Sequence, residues 1–308
     1  MGKILITGGA GFIPGSLAEI LGKKKEHQLV LIDNLLTGRK RNIPVGENIT
    51  FIKADANDYA SLSAIMTAHR FDYVFHYAAV VGVQRTLENP VMVLRDIDGI
   101  KNILELSKNT GVKRIFFSSS SEVYGEPVSI PQHEDITPLN SKLPYAVVKN
   151  LGECYCRSYQ QEFGLPYTIL RFFNTYGPNQ SQDFVISRFL KAALRDEDIF
   201  IYGDGSQTRT FCYIQDNVDF TVRILEENLC VNDIVNVGND RQHTISELAE
   251  TVLRVTGSKS NIVKLPPLKE GDMSRRQPDI SKMRGILKRE LISLEDGLQQ
   301  MIGVWQHP

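Results

Sequence analysis

Short apolar runs alternate with helical patterns through the first half of the chain. Several of these runs are apolar on both faces, as strands are when helices cover both sides of a parallel sheet. Strands are predicted over residues 3–7, 29–33, 49–53, 73–80, 114–120 and 167–172, and helices over residues 15–24, 59–69, 90–109 and 145–163. This alternation predicts a doubly wound α/β domain around a parallel sheet.

The pattern changes after about residue 173. Polar and glycine-rich stretches follow, and apolar positions then recur at helical spacing over residues 183–195, 216–228, 245–256 and 292–304. We therefore predict two domains, residues 1–172 and residues 173–308, and allow for an exchange of strands or helices between them. The second domain is predicted to be the smaller one and mostly helical.

Composition limits the partners of the protein. The chain has 308 residues, of which 42% are hydrophobic and 23% are charged, and its formal net charge is −1. A balanced charge offers no attractive field for nucleic acid or an anionic membrane. No apolar run approaches the roughly 20 residues that span a bilayer. We therefore expect neither a nucleic-acid partner nor a membrane partner.

The cysteines and histidines show no spacing that is typical of a metal site. The 4 cysteines lack a CxxC pattern, and the 6 histidines are scattered without HxxxH or HExxH. No basic region followed by a longer apolar stretch precedes the first strand, so no signal peptide is predicted. We expect reduced thiols, no metal and a cytoplasmic location.

A glycine-rich turn lies between the first predicted strand and the helix that follows it. Gly8 and Gly11 stand where backbone N–H groups and the positive end of a helix dipole can bind a pyrophosphate. Asp33 ends the next strand, where a carboxylate would accept a hydrogen bond from the 2′-hydroxyl of an adenine ribose. A carboxylate repels a 2′-phosphate and favours NAD over NADP, while Arg39 and Lys40 nearby keep NADP open as an alternative.

Pro14 stands where the third glycine of such a turn is expected. In the first turn of a helix a proline loses no hydrogen bond, and its backbone angle already suits the helix. We therefore expect the helix to form, with the ring pushing helix and strand slightly apart and Gly15 restoring some of the space. The pyrophosphate is still expected at the helix N-terminus.

Two further motifs, SSSSEVYG at residues 118–125 and YAVVK at residues 145–149, indicate proton transfer. Tyr145 and Lys149 are at positions i and i+4 and share one helix face. An ammonium close to a phenol stabilises the phenolate and lowers the tyrosine pKa from its usual value of about 10. Since a serine at the strand end can hold the same substrate hydroxyl, the pattern predicts a tyrosine general base.

Through these and other motifs the chain resembles the extended short-chain dehydrogenases/reductases that modify nucleotide sugars, namely epimerases, 4,6-dehydratases and UDP-glucuronate decarboxylases. The resemblance runs essentially from end to end, through TGGAGFI, IDNLLTG, DAND, HYAA, SSSSEVYG, YAVVK, RFFNTYGPNQ, YGDGSQTRTFCYIQDNV, VNVGN and EGDMSRRQPDISK. It implies a Rossmann-type, doubly wound parallel sheet with a smaller, mostly helical C-terminal substrate domain. It also implies a homodimer that acts on a UDP-, GDP- or dTDP-linked sugar.

The resemblance implies roles for single residues as well. Tyr145 would remove the C4 hydroxyl proton while hydride passes to NAD, and Lys149 would lower the tyrosine pKa. Ser120 matches the family's catalytic serine or threonine, and Glu122 completes the expected catalytic set. NAD contacts are expected at Gly8, Gly11, Phe12, Ile13, Asp33, Asn34, Asp55, Ala56, Ala78, Ala79, Tyr145 and Lys149. Contacts to the nucleotide diphosphate or the sugar are expected at Asn174, Arg209 and Arg276.

The sequence does not decide which reaction follows the oxidation at C4. Many dehydratases have Thr-Asp-Glu where this chain has Ser120-Ser121-Glu122, and a serine in the middle resembles the decarboxylases and the GDP-mannose dehydratases. Arg276 matches an arginine that decarboxylases use near the sugar carboxylate, while Asp96 replaces the family's usual asparagine. Epimerisation, dehydration, decarboxylation and release of the 4-keto sugar remain alternatives. A non-catalytic dinucleotide-binding protein is disfavoured because the Ser-Tyr-Lys set is intact.

Overall fold

A computed structural model of the chain describes residues 2–266 and 276–306. Its strands are β1 (Gly2–Thr7), β2 (His27–Asp33), β3 (Ile49–Lys53), β4 (Tyr73–His76), β5 (Arg114–Ser120), β6 (Tyr167–Phe172), β7 (Thr175–Tyr176), β8 (Ile199–Tyr202), β9 (Thr208–Thr210), β10 (Cys212–Tyr213), β11 (Asp233–Val237), β12 (Gln242–Thr244) and β13 (Ile262–Leu265). Its helices are α1 (Phe12–Gly22), α2 (Tyr59–His69), α3 (Val83–Glu88), α4 (Pro90–Leu94), α5 (Asp96–Thr110), α6 (Pro144–Phe163), α7 (Val185–Ala193), α8 (Ile214–Glu226), α9 (Ile245–Thr256), α10 (Ser281–Leu287) and α11 (Leu294–Gln306).

The central sheet has 7 strands in the order β11-β6-β5-β4-β1-β2-β3. Every pairing from β3 to β6 is parallel. Successive residues of β1, such as Ile4, Leu5 and Ile6, are fully buried because helices cover both faces of the sheet. The order reverses between β1 and β4, which is where sheets of this kind bind dinucleotides. The predicted Rossmann-type, doubly wound fold is confirmed.

Three elements differ from the sequence pattern. The strand predicted over residues 73–80 ends at His76, because the next two backbone N–H groups bond to the Thr7 side chain instead of the sheet. The helix predicted over residues 90–109 is divided into α4 and α5 at Arg95, whose backbone stays right-handed, so the apolar spacing continues across the break. Strand β11 was not predicted as a strand and forms one edge of the sheet.

Helix α1 begins at Phe12, earlier than predicted, with Gly11 as its N-cap. Pro14 is buried at the third residue of the helix, and its place in the first turn is confirmed. The Gly15 N–H group still bonds to the Gly11 carbonyl at 3.1 Å. A Cβ on Gly15 would collide with the carbonyl oxygen of Asn42, so the space that Gly15 leaves is used by the neighbouring turn at Lys40–Asn42.

The chain divides into two compact units, each built from separate segments. The first consists of Met1–Gly125, Leu139–Phe172 and Val218–Val235, and it holds β1 to β6 and α1 to α6. The second consists of Glu126–Pro138, Phe173–Asn217 and Asn236–Pro308, and it is mostly helical, with short two-stranded ribbons. The assignment of NAD to residues 1–172 and of the nucleotide sugar to residues 173–308 stays a prediction.

Candidate active site

The glycine turn before α1 approaches the loop after β4. Gly8 has a φ of +71°, which residues with a side chain rarely adopt, and a Cβ there would lie 2.9 Å from the backbone nitrogen of Ala78. The Gly11 N–H group closes the turn on the Gly8 carbonyl at 2.7 Å. Glycine has no side chain to cover the backbone N–H groups of this turn. The turn therefore fits the pyrophosphate of a dinucleotide, which such N–H groups bind.

Thr7, the last residue of β1, fixes the loop that faces this turn. Its Oγ1 accepts hydrogen bonds from the N–H groups of Tyr77 at 3.1 Å and Ala78 at 3.0 Å, and lies 2.9 Å from His76 Nδ1. Since this oxygen already accepts two bonds, its hydroxyl donates to Nδ1, which requires a neutral imidazole. Burial lowers the pKa of His76 to about 3, and the Lys149 ammonium adds to this effect. The sequence analysis did not single out His76.

The neutral imidazole makes stability depend on pH. Because the pKa of His76 is lowered from 6.5 to about 3 on folding, the unfolded chain binds a proton first, and stability falls as the pH falls between these values. In His76→Asn the amide oxygen accepts the Thr7 proton without titrating. When the pH is lowered from about 7 to about 5, we expect the unfolding free energy of the wild type to fall by about 2 kcal/mol more than that of this variant. Urea unfolding at both pH values measures the difference, and equal losses would contradict it.

The carboxyl ends of β2 and β3 bring together acidic and amide side chains. Asp33 accepts hydrogen bonds from the N–H groups of Ala10 at 3.0 Å and Leu35 at 2.7 Å, which fix its carboxylate against the glycine turn. Asn34 donates to the Asp55 carboxylate at 3.0 Å. A carboxylate at the end of the second strand suits the hydroxyls of an adenine ribose, so the residues present fit the adenosine half of NAD.

The other residues expected at NAD lie at the same ends of the strands. Phe12 and Ile13 are the first residues of α1 and are half-buried. Ala56 is buried just after β3, and Ala78 and Ala79 are half-buried in the loop after β4. All of them belong to the first compact unit.

Asp96, at the start of α5, holds the loop after β4 from the other side. Its carboxylate accepts a hydrogen bond from the Val80 N–H group at 2.7 Å. Burial raises the pKa of Asp96, while the Val80 hydrogen bond and the Lys149 ammonium act to lower it. An asparagine oxygen could accept the same bond, so the aspartate keeps this contact and adds a negative charge near Lys149.

Ser120, Tyr145 and Lys149 meet where β5 packs on α6. Ser120 Oγ accepts the Glu122 N–H group at 3.2 Å, and the Ser120 hydroxyl is close enough to Tyr145 to act on the pKa of its phenol. Lys149 is 3% exposed, and its Nζ donates to the carbonyl oxygen of Ser118 at 2.7 Å and to its Oγ at 3.2 Å. The same Nζ lies 5.8 Å from the centroid of the Tyr145 ring.

The surroundings of Tyr145 favour its neutral form. Burial raises the pKa of Tyr145, the carboxylates of Glu122 and Asp96 raise it further, and the Ser120 hydroxyl acts in the opposite direction. The i and i+4 spacing predicts that Lys149 lowers this pKa, but the ammonium is bonded to β5 and does not offset the burial. Burial also lowers the pKa of Lys149 to about 8, against the attraction of Asp96.

The residues expected at the nucleotide and the sugar lie in the second compact unit. Asn174 has a φ of +33°, and its side-chain amide donates to the carbonyl oxygen of Thr210 at 3.0 Å, beside Arg209. Arg209 lies on the antiparallel ribbon of β9 and β12, and Arg276 is buried. Residues 270–275 of the motif EGDMSRRQPDISK lie outside the described residues.

Within residues 2–266 and 276–306, His, Cys, Asp and Glu side chains form no group of three that could hold a metal ion. In the same part of the chain, no helix combines the length and the apolar character needed to cross a membrane. The 4 cysteines are free thiols. The cytoplasmic location stays a prediction.

A sheet that reverses its order at a glycine turn, beside a buried serine and lysine and a half-buried tyrosine, is typical of dinucleotide-dependent oxidoreductases. The family model described as the NAD dependent epimerase/dehydratase family matches residues 4–238, and the chain belongs to this family. It is an NAD-dependent enzyme of the group that converts nucleotide sugars.

Relatives of known name are similar along almost the whole chain. The UDP-N-acetyl-alpha-D-glucosaminuronate decarboxylase of Bacillus cytotoxicus is 37% identical, over 97% of this chain and 96% of that protein. The UDP-glucuronic acid decarboxylase 1 of Danio rerio is 35% identical, over 97% of this chain and 72% of that protein. Among solved structures, the UDP-glucose 4-epimerase of Thermotoga maritima with UDP-glucose has a TM-score of 0.92 and 32% identity, covering 99% of this chain and 98% of that chain.

Proposed function

We propose that the enzyme oxidises the C4 hydroxyl of a UDP-linked sugar to a ketone and then acts at C5 of the 4-keto sugar. The observation that carries this proposal is the buried Lys149 ammonium, which shares a face of α6 with Tyr145 and donates to β5 at Ser118, two residues before Ser120. A serine and a phenol at this meeting of β5 and α6 can both reach one substrate hydroxyl. UDP is the favoured nucleotide because the relatives described above are named for UDP-sugars.

The roles of the residues follow from their positions. Gly8 and Gly11 would hold the pyrophosphate of NAD, and Asp33 would hold the adenine ribose. NAD, when bound, supplies the acceptor for the hydride of C4. Tyr145 takes the C4 hydroxyl proton on its phenolic oxygen, while Ser120 holds that hydroxyl in place. The pKa of Lys149 is about 8, so its ammonium is present at neutral pH and stabilises the phenolate as it forms.

Glu122 supports a second step at C5. Its carboxylate acts electrostatically on Tyr145, which favours a position close to the reacting carbons. A 4-keto sugar with a carboxylate on C5 is a β-keto acid. The bond from C5 to the carboxylate breaks, carbon dioxide leaves, and the electron pair is held as the C4 enolate until a proton returns to C5.

We favour decarboxylation of a UDP-linked uronic acid because two decarboxylases share 37% and 35% identity with this chain. Epimerisation at C4 is the second candidate, and it is supported by the TM-score of 0.92 to a UDP-glucose 4-epimerase. Both reactions begin with the same oxidation at C4. They differ in whether the sugar carries the carboxylate that can leave from C5.

A panel of nucleotide sugars tests the proposal. The purified enzyme with NAD is incubated with the UDP forms of glucuronate, N-acetylglucosaminuronate, glucose and N-acetylglucosamine, and with GDP- and dTDP-sugars. We expect mass spectrometry to show loss of carbon dioxide alone from a UDP-linked uronate, because the hydride taken from C4 would be returned to the C4 ketone after the carboxylate has left. A new isomer of unchanged mass would indicate epimerisation, loss of water would indicate dehydration, and loss of two hydrogens would indicate a released 4-keto sugar. No conversion of any sugar would contradict the proposal.

We further propose that the enzyme is a homodimer. Apolar side chains are exposed on neighbouring helices of the first unit, namely Leu87 on α3, Val91 on α4, and Val147 and Leu151 one turn apart on α6. Helix α4 packs against both α3 and α6, so these exposed apolar side chains lie on adjoining helices, and exposed apolar side chains grouped in this way are typical of subunit interfaces. Light scattering is expected to give twice the mass of the chain, and a monomer mass would contradict the proposal.

A further inference from the structure

A buried ion pair lies beside the serine-rich end of β5. Glu153 of α6 is 0% exposed and Arg171 of β6 is 2% exposed. The arginine donates from Nε to Glu153 Oε1 at 2.9 Å and from Nη2 to Oε2 at 2.7 Å, so the guanidinium and the carboxylate meet as two parallel hydrogen bonds. No sequence motif marks either residue as functional.

Further hydrogen bonds extend from the pair on each side. Ser119 donates from Oγ to Glu153 Oε1 at 2.5 Å, and Arg171 donates from Nη1 to the Tyr124 hydroxyl at 2.8 Å. The guanidinium also lies over the Tyr124 ring, 4.8 Å from its centroid. Ser119 and Arg171 are register partners on adjacent parallel strands, so the sheet itself sets their separation.

These contacts join the two elements that carry the proposed catalytic groups. Tyr145, Lys149 and Glu153 follow at steps of four residues and share one face of α6. Ser119 immediately precedes Ser120, and Tyr124 closes the short turn that contains Glu122. The segment with Ser120 and Glu122 is therefore tied on both sides to the helix that carries Tyr145.

A buried ion pair of this kind is not explained by its contribution to the stability of the fold. Moving a carboxylate and a guanidinium out of water costs about as much as their attraction returns, and apolar residues of the same volume often fill such a space equally well. Burial acts to lower the pKa of Arg171, but the hydrogen bonds that it donates to Glu153, together with the charge of that carboxylate, outweigh burial and raise the pKa, so the arginine stays charged. Unlike an apolar pair, the ion pair forms directional hydrogen bonds, and each of these bonds fixes the position of one partner atom.

We propose that Glu153 and Arg171 are positioning residues, which use Ser119 and Tyr124 to hold Ser120 close to Tyr145. The inference rests on the proposed function only in that C4 oxidation needs this placement. Neither residue is proposed to touch the sugar or NAD. A displacement of a reacting group by about 1 Å can cost on the order of 10²-fold in rate. Loss of these positioning contacts is therefore expected to lower kcat more than it weakens the binding of substrate or NAD.

The double variant Ser119→Ala/Tyr124→Phe tests this while it leaves the buried ion pair in place. A matched control, Thr168→Val/Tyr159→Phe, also removes one serine-like and one tyrosine hydroxyl. The Thr168 hydroxyl donates to the Cys230 carbonyl oxygen at 2.7 Å, and the Tyr159 hydroxyl donates to Glu105 at 3.1 Å, both away from Ser120. Each double variant therefore loses one aliphatic hydroxyl and one phenolic hydroxyl in the same unit of the protein.

We expect the test variant to lose about 10- to 100-fold in kcat, with KM and the Kd of NAD within about twofold of wild type. The control is expected to keep its kcat and to show a similar fall in Tm. Equal kcat values in the two variants would overturn the inference. A fall in kcat that follows the fall in Tm equally in both variants would also overturn it.

A second readout needs no substrate and separates this inference from the proposed function. Crystal structures of the wild type and of the test variant give the distance from Ser120 Oγ to the Tyr145 hydroxyl. We expect the two oxygens to lie clearly farther apart in the test variant than in the wild type. An unchanged distance would overturn the inference, even if the wild type converts no sugar, which would contradict only the proposed function.

Discussion

Tyr145→Phe is expected to lower kcat by about 10²- to 10⁴-fold, because the phenylalanine ring fills the same space but cannot take the C4 hydroxyl proton. The Kd of NAD and the Tm are expected to change little, since the Tyr145 ring stays in place on α6. The loss is a loss of proton transfer and not of binding, so it appears in kcat while KM is kept.

Tyr159→Phe on the same helix is the matched control, because the Tyr159 hydroxyl donates to the Glu105 carboxylate far from Ser120. Steady-state rates with the best sugar of the panel, measured for both variants and for wild type, check the prediction. If the Tyr145→Phe enzyme keeps the wild-type kcat, Tyr145 is not the general base. A control that is as impaired as Tyr145→Phe would show that the loss is structural.

Gly8→Ala is expected to weaken NAD binding by at least about 100-fold, or about 3 kcal/mol. The new Cβ would lie 2.9 Å from the backbone nitrogen of Ala78, at a φ of +71° that alanine rarely adopts. Relief requires the turn or the loop after β4 to move, and both surround the proposed pyrophosphate position.

Gly111→Ala provides the control for backbone strain. Gly111 has a φ of +78°, but a Cβ there would meet no atom within 4 Å. Titration of NAD into both variants by calorimetry, with Tm measured alongside, separates strain from collision. We expect similar strain in both proteins and loss of NAD affinity in Gly8→Ala alone. Wild-type affinity in Gly8→Ala would contradict the placement of the pyrophosphate at this turn.

The strands of the fold could be predicted because their cause is local. Residues 3–7, 29–33 and 114–120 form apolar or small-residue runs that are too short for helices, and each is a strand in the structure. The break at Arg95 could not be predicted, because its backbone stays helical while the hydrogen-bond pattern changes. Strand β11 was missed because its run DIVNV is short and partly polar.

The polar support of the candidate site could be predicted only in part. Tyr145 and Lys149 carry their signal in a spacing of four residues, whereas Glu153 and Arg171 meet only after β5, β6 and α6 have packed. His76 resembles an ordinary polar residue in a strand until its hydrogen bond with Thr7 is known. Sequence spacing shows partners on one element, and partners on different elements become visible only in the folded chain.

The pKa values show why neighbouring residues cannot be judged from spacing alone. The i and i+4 positions of Tyr145 and Lys149 predict a lowered tyrosine pKa, but burial of the hydroxyl and the carboxylates of Glu122 and Asp96 raise it. Burial is a property of the whole fold, and it is the largest of these effects. The proposed base therefore depends on positive charge close to the ring during the reaction, to which the Lys149 ammonium contributes.

The fate of the hydrogen on C4 tests the central claim most directly. The enzyme, with NAD in excess, is mixed in a single turnover with the best UDP-sugar of the panel carrying deuterium at C4. We predict a kinetic isotope effect on the appearance of reduced NAD absorbance and deuterium in the reduced NAD that is recovered. Conversion of the sugar without an isotope effect and without reduced NAD at any time would contradict C4 oxidation.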